Sequence, residues 1–311
     1  MKRLVPIAVL LCAAGYLTAA GVLAQNKPAA GPLAGAVDIH MHSYPDSQGR
    51  SIDAYTAAQQ AKAAGMRAIV LKAHYDNTAT IAYIIRKAVP GIDVFGGIAL
   101  NHSMGGVNHY AVERLALSQK FGGNDGARVV YMPTTDAEHQ LIFAKEKRPG
   151  VSIAKGGQLL PETKNVIAVI AKNNLSLATG HSSPTESLLV IQEARRLGIT
   201  KIVVTHPMNP AMSMSMAQMQ EAAKMGAFLE LTARSIFQKM VPVNMYVDAV
   251  KKIGAEHFIM SGDLGQENSP LPVKGLTDFV ALMRAQGISQ ADVDTMLRVN
   301  PAKWIGLPPA K

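Results

Sequence analysis

The stretch Val37-Asp38-Ile39-His40-Met41-His42 decides how the rest of the chain reads. Apolar residues alternate with Asp38, His40 and His42, and a period of two is that of a β-strand. Residues two apart share a face. His40 and His42 therefore point the same way from the end of one strand, with Val37, Ile39 and Met41 on its other side. Two imidazoles so placed can hold one metal ion through ring nitrogens at about 2.0–2.1 Å.

Ahead of this strand, Lys2 and Arg3 precede an apolar run over residues 4–23, and Val22-Leu23-Ala24 offers small or modest residues before Gln25. That pattern predicts an export signal over residues 1–24, removed to give a periplasmic or secreted protein with no stable membrane insertion. Residues 25–35, rich in Pro, Ala and Gly, read as a linker. The only cysteine, Cys12, lies inside the leader, with Leu11 where a lipoprotein signal needs a small residue. A mature chain without cysteine has no disulfide and no thiolate site, so its metal ligands are His, carboxylate or Lys-derived.

Of the 311 residues, 48% are hydrophobic and 17% charged, enough for a large core and too few charges for bulk disorder. The net charge is +9, yet no Lys/Arg run exceeds two residues. Aromatic and basic residues do not interleave as in nucleic-acid binders, so no nucleic-acid partner is expected.

After the first strand, apolar runs alternate with amphipathic ones. Strands are expected at 67–73, 93–100, 127–132, 175–179, 201–205, 227–231 and 257–261. Helices are expected between them at 51–65, 78–89, 107–121, 162–173, 184–197, 214–225 and 243–253, with two more at 273–286 and 290–298. Ser51 is the expected N-cap of the first helix and Gly65 its C-cap. Residues 133–161 break the rhythm and read as a basic insertion after strand 4, placed over a site. Eight strand–helix units predict a single-domain α/β fold over residues 36–311, a (β/α)8 TIM-like barrel. No glycine-rich loop follows strand 1, which argues against a dinucleotide-binding sheet.

Barrel enzymes carry their chemistry at the C-terminal ends of the strands. Lys72 and His74 end strand 2, His181 follows strand 5, His206 follows strand 6 and Asp263 follows strand 8. His40, His42, His181, His206 and Asp263 make an N/O ligand set for Zn²⁺, with Mn²⁺, Fe²⁺ or Ni²⁺ also suitable. Asp263 can ligate the metal and take a proton from an attacking water. His257 opens strand 8, at the wrong end of the barrel. Glu230 and Arg234, near the end of strand 7, meet the substrate or each other.

This order of motifs resembles the amidohydrolase superfamily. The closing Val299-Asn300-Pro301-Ala302-Lys303-Trp304-Ile305-Gly306-Leu307 is similar to that family's Asn-Pro-Ala-x-x-Leu-Gly-Leu, and the likeness runs over about residues 36–307. It implies a distorted barrel with one or two divalent metals. His40, His42 and Asp263 would bind the more buried ion, and His181 and His206 the second ion or the substrate. The family often bridges two metals with a carboxylated Lys or a Glu at the end of strand 4, where this chain has Tyr131-Met132-Pro133-Thr134. Lys72, Glu138 and His139 are the candidate substitutes, with His74 a ligand or substrate contact and Arg234 a substrate-binding cation. The expectation is a metal-dependent hydrolase of a small molecule's amide, ester or lactone bond, alone or as a homo-oligomer. The alternatives are a phosphoesterase, a metal-dependent decarboxylase or a non-catalytic metal- or ligand-binding protein.

Overall fold

Along the strands, buried side chains fall into two alternating sets. Val70, Phe95, Val129, Val203, Phe228 and Ile259 belong to one cluster. Their neighbours Ile69, Val94, Val130, Val204, Leu229 and Met260 pack instead with the helices. Two buried faces with period two are what a parallel sheet curled inside a ring of helices requires. The computed structural model describes residues 31–309 apart from 122 and 124. The expected leader, its cleavage site, Cys12 and residues 25–30 lie outside the described residues.

The strands are β1 (Val37–Met41), β2 (Ala68–Leu71), β3 (Asp93–Ala99), β4 (Ala127–Tyr131), β5 (Ser176–Ala178), β6 (Ile202–Val204), β7 (Phe228–Thr232) and β8 (Phe258–Ser261). All eight lie side by side in chain order, and every pairing is parallel. The ends meet where Met41 bridges Leu264. There Asp263 N–H donates to the His40 carbonyl at 2.7 Å and His42 N–H to the Leu264 carbonyl at 2.8 Å. The (β/α)8 barrel read from the sequence is the observed architecture.

The helices are α1 (Ala54–Ala63), α2 (Thr78–Ala88), α3 (His109–Phe121), α4 (Glu138–Ala144), α5 (Pro161–Lys172), α6 (Pro184–Arg196), α7 (Met216–Lys224), α8 (Ala233–Phe237), α9 (Val243–Ile253), α10 (Pro272–Ala285), α11 (Gln290–Asp294) and α12 (Asn300–Ile305). Helix α1 starts later than expected. Ser51 N–H is taken by the Gly265 carbonyl, and Asp53 caps the helix instead, accepting from Thr56 N–H at 2.9 Å. The end of the expected linker is packed, with Leu33 buried and Arg298 donating to the carbonyls of Pro32 and Ala34.

The insertion after β4 is folded. It holds α4 and a two-residue antiparallel ladder, Ala154–Lys155 on Gln158–Leu159. Asn101 anchors its start, accepting from Thr134 N–H at 2.8 Å. Buried Asp136 accepts from His102 N–H and pairs with Arg148. The opposite end of the barrel is sealed by α12. Trp304 and Ile305 enter the inner cluster, and Ser176 Oγ donates to the Trp304 carbonyl at 2.8 Å. Asn300 donates to the carbonyls of Ala255 and Phe258, so the Asn-Pro-Ala motif builds a floor.

Candidate metal centre

The site begins with a defect in β1. Its register against β2 shifts between Asp38 and Met41, as at a β-bulge, which re-aims side chains. Asp38 Oδ1 accepts from His40 N–H at 3.0 Å and from Gly262 N–H at 2.9 Å, fastening the irregular segment to the β8 side. Burial raises the Asp38 pKa to about 6. One sequence expectation is corrected here. Val37 and Ile39 join the inner cluster, and only Met41 packs in the outer layer. Strict alternation fails because the shift turns Ile39 and His40 both inward.

The two histidines do meet, with ring centroids 5.2 Å apart. They belong to a closed circuit of five imidazoles. His42 neighbours His74 at 5.1 Å, His74 neighbours His181 at 5.8 Å, His181 neighbours His206 at 5.0 Å, and His206 returns to His40 at 6.0 Å. Asp263 Oδ1 lies 3.1 Å from His40 Nε2 and 3.2 Å from His42 Nε2. Both His42 nitrogens are buried without a hydrogen-bond partner. His206 and Asp263 have positive φ angles of 27° and 50°. Such conformations cost about 1–3 kcal/mol in a residue with a side chain and concentrate at functional sites.

Sequence reading gave Glu230 no firm role, and the structure puts it at the heart of the cluster. It is buried at β7, with Oε1 2.9 Å from His40 Nδ1. The same oxygen accepts from Ser261 Oγ at 2.7 Å, and Oε2 accepts from His206 N–H at 3.1 Å. A proton on His40 Nδ1 leaves Nε2 free to ligate, the usual arrangement of a carboxylate behind a metal-bound histidine. Burial opposes the charge on Glu230, but His40 and these hydrogen bonds outweigh it and hold the pKa at about 2. His40 is pushed down by burial and Lys72, yet Asp263 and Glu230 raise it overall. Burial lowers His42 to about 3 and His206 to about 4, keeping these rings neutral at pH 7, the state in which imidazole binds metals.

These residues fit a divalent ion. Nitrogens of His40 and His42 and an oxygen of Asp263 lie within 4.8 Å of one another. His181 Nδ1 and His206 Nδ1 are also buried without partners. Unsatisfied buried polar atoms are costly, and an ion answers that cost where neutral nitrogens and a carboxylate converge.

The other candidates separate. Lys72 Nζ is 2.9 Å from His40 Nε2 and lies over the Tyr131 ring, with its pKa lowered to about 8 chiefly by burial. His74 joins the circuit, its Nδ1 held by Thr134 Oγ1 at 2.9 Å. Glu138 and His139 are not brought to the cluster. Glu138 opens α4, exposed, and accepts from Ser152 Oγ. His139 Nε2 donates to the Ala211 carbonyl at 2.7 Å. Both are spent holding the insertion in place. Arg234 reaches the edge of the site, its Nη1 3.7 Å from Asp263 Oδ2. His257 lies away, half-exposed beside Glu256. A cavity of about 290 Å³ opens on the cluster, with Phe143 of α4 and Met212 and Met240 on its walls. The insertion thus contributes to the site's wall.

Fold and rim together define a (β/α)8 barrel with a histidine-rich cluster at the C-terminal ends of its strands. The chain belongs to the Family of unknown function (DUF6282), whose model matches residues 35–230. Residues 163–305 also match the Phosphotriesterase family model. No curated protein matches the chain. Among solved structures, an amidohydrolase from Pseudomonas aeruginosa is similar at 12% identity and a TM-score of 0.60, covering 89% of this chain and 99% of that one. A mutant PTE-like lactonase from Deinococcus radiodurans shares 15% identity and a TM-score of 0.59, over 89% and 97% of the two chains. A putative 2-pyrone-4,6-dicarboxylic acid hydrolase from Pseudomonas putida shares 13% identity and a TM-score of 0.59, over 89% and 99%. At these identities the likeness shows the fold.

Proposed function

We propose that the protein is a metal-dependent hydrolase acting on an ester, amide or lactone bond of a small molecule. The observation that carries this reading is the convergence of His40, His42 and Asp263 on a cavity at the strand ends where barrel enzymes work. The matching phosphotriesterase model and the lactonase and hydrolase neighbours support it.

One divalent ion, Zn²⁺ first among the choices, would be held by His40, His42 and Asp263, and His181 and His206 would supply donors for a second. Such an ion supplies Lewis acidity and a water of lowered pKa. Around it, the chain's own groups have distinct tasks. Glu230 fixes the His40 ring through Nδ1. Asp263 is the proton acceptor for the attacking water, with Gln266 donating to its Oδ1 at 3.0 Å. The proton then passes to the leaving group. Lys72, at the cavity wall, would touch the substrate or, if carboxylated, serve as a ligand to both ions. The leader over residues 1–24 sends this hydrolase out of the cytoplasm, a point that N-terminal sequencing of exported protein decides by finding Gln25 first.

The test pairs elemental analysis with a panel of esters, lactones and amides. Protein as purified should contain about one or two equivalents of divalent metal. A chelator should abolish turnover and Zn²⁺ restore it. Full turnover in thoroughly chelated protein would refute the reading.

A further inference from the structure

The cavity beside the metal ligands is lined by more cations than carboxylates. Among the described residues its only acidic lining residue is Asp263, while Lys72 and Arg234 both face it. Asp263 is committed to the metal side through His40 and His42. Arg234 is not committed. Its nearest carboxylate oxygen is 3.7 Å away, beyond hydrogen-bond range. Its Nε is buried without a partner, although the side chain as a whole is 25% exposed. A buried charged donor left unsatisfied is expensive. The backbone fixes it there, since Arg234 N–H donates to the Gly262 carbonyl at 3.1 Å, next to Asp263.

A second donor faces the same space. Gln48 lines the cavity, and its Oε1 is occupied by Arg50 Nη2 at 3.0 Å. Arg50 is itself clamped on Asp46 by Nε and Nη2, at 2.8 and 2.6 Å. With Arg50 donating to its oxygen, Gln48 keeps both amide N–H groups to offer an anionic ligand. Phe143, Met212 and Met240 supply apolar wall.

We propose that the substrate is an anionic small molecule with a carboxylate received by Arg234 and Gln48, its scissile bond lying at the His40–His42–Asp263 centre. This rests on the hydrolase reading and narrows it. One planar guanidinium whose buried Nε has no hydrogen-bond partner matches one planar carboxylate in a bidentate fork. A phosphoryl dianion is a poorer match, because it would bring its second charge to the same single fork, close to Asp263 Oδ2. The cavity volume suits a compact molecule with a short apolar body.

Calorimetry with glutarate and its neutral analogue glutaramide tests this in Zn²⁺-loaded and in chelated protein. Wild type should bind glutarate at least about tenfold more tightly in both states. Arg234→Met should erase the preference with metal content unchanged, Arg234→Lys should keep part of it, and Gln48→Leu should weaken glutarate several-fold. Equal binding of the two probes by wild type overturns the proposal. So does a preference that survives Arg234→Met, or one that vanishes on chelation and so belongs to the metal. Inorganic phosphate binding more tightly than glutarate would overturn the carboxylate assignment. Hydrolysis of neutral lactones without any glutarate preference leaves the hydrolase standing and removes this inference. A glutarate preference in a protein that hydrolyses nothing does the reverse.

Discussion

The two ends of the barrel interior are built from the same strands and do opposite work. On β2, Val70 belongs to the inner cluster and Lys72, two residues on, touches His40. On β7 the step is from Phe228 to Glu230, and on β8 from Ile259 to Ser261. One layer of side chains separates a floor closed by Trp304 and Ile305 from a rim of imidazoles with unpartnered nitrogens. The floor satisfies its few polar groups, such as Asn300 and Ser176, with backbone carbonyls. The rim leaves several of its own unsatisfied, and holds His206 and Asp263 at positive φ. Stability lies in the first arrangement and reactivity in the second. If that division is real, changes at the rim should cost chemistry, and changes at the floor should cost folding.

The largest effect belongs to Asp263. Asp263→Asn keeps the shape and one oxygen for the metal but removes the base. General acid–base help is worth about 10²–10⁴ in rate, so kcat on a responsive ester or lactone should fall by that factor. The protein should still fold and retain some metal. Wild-type turnover with a full metal complement would take the proton acceptor away from this end of the barrel.

The floor should answer in stability. Trp304 is fully buried and its Nε1 donates to the Leu177 carbonyl at 3.3 Å. Trp304→Ala should cost about 3–5 kcal/mol in denaturant unfolding. Metal content per folded molecule should not change. Loss of metal without loss of stability would break the division between floor and rim.

The difference between the ends also explains what could be read in advance. Alternation on short apolar strands and regular helix spacing are local patterns, so eight units were legible. So were the positions of His181, His206 and Asp263, because each comes within three residues of the end of an apolar run. The shift in β1 was not legible. It depends on Asp38 accepting from Gly262 N–H, 224 residues away in sequence, and no local pattern encodes that closure. Glu230 stands 190 residues from His40, so its partner could not be chosen from the sequence, although a lone carboxylate in the apolar run Phe228-Leu229-Glu230-Leu231 was a visible signal. Glu138 and His139 follow β4 closely by sequence count alone. The fold of the insertion spends them elsewhere.

Glu230 sharpens the comparison, because it is a buried charge that serves a ligand. Glu230→Gln should weaken Zn²⁺ by about 10–100-fold, the usual consequence of losing the carboxylate behind a metal-bound histidine. Competition with a chromogenic chelator measures it. In chelated protein the same group has a pH signature. Its folded pKa, about 2, lies below the ordinary 4.5. The stability it contributes is therefore full above about pH 4.5 and drains as pH falls toward 2. The melting-temperature gap between wild type and Glu230→Gln should be widest near pH 6 and narrow by pH 3. A gap that widens on acidification would mean that Glu230 is not held as a carboxylate.

The smallest expected effect is at His139, which the sequence offered as a metal-bridging candidate and the structure places outside the circuit of imidazoles. Its Nε2 donates one hydrogen bond to the Ala211 carbonyl, joining the insertion to the segment after β6. One neutral hydrogen bond is worth about 0.5–1.5 kcal/mol net. The side chain is only partly buried, so water can serve the freed carbonyl and the loss should fall at the low end. His139→Ala should therefore lower stability by about 0.5 kcal/mol and leave metal stoichiometry as in wild type. Because Ala211 lines the cavity with Phe143, a looser insertion should raise KM by a small factor and leave kcat alone. Steady-state kinetics beside elemental analysis separates the two roles. Loss of one metal equivalent with a collapse of kcat would make His139 a ligand and extend the reactive rim into the insertion.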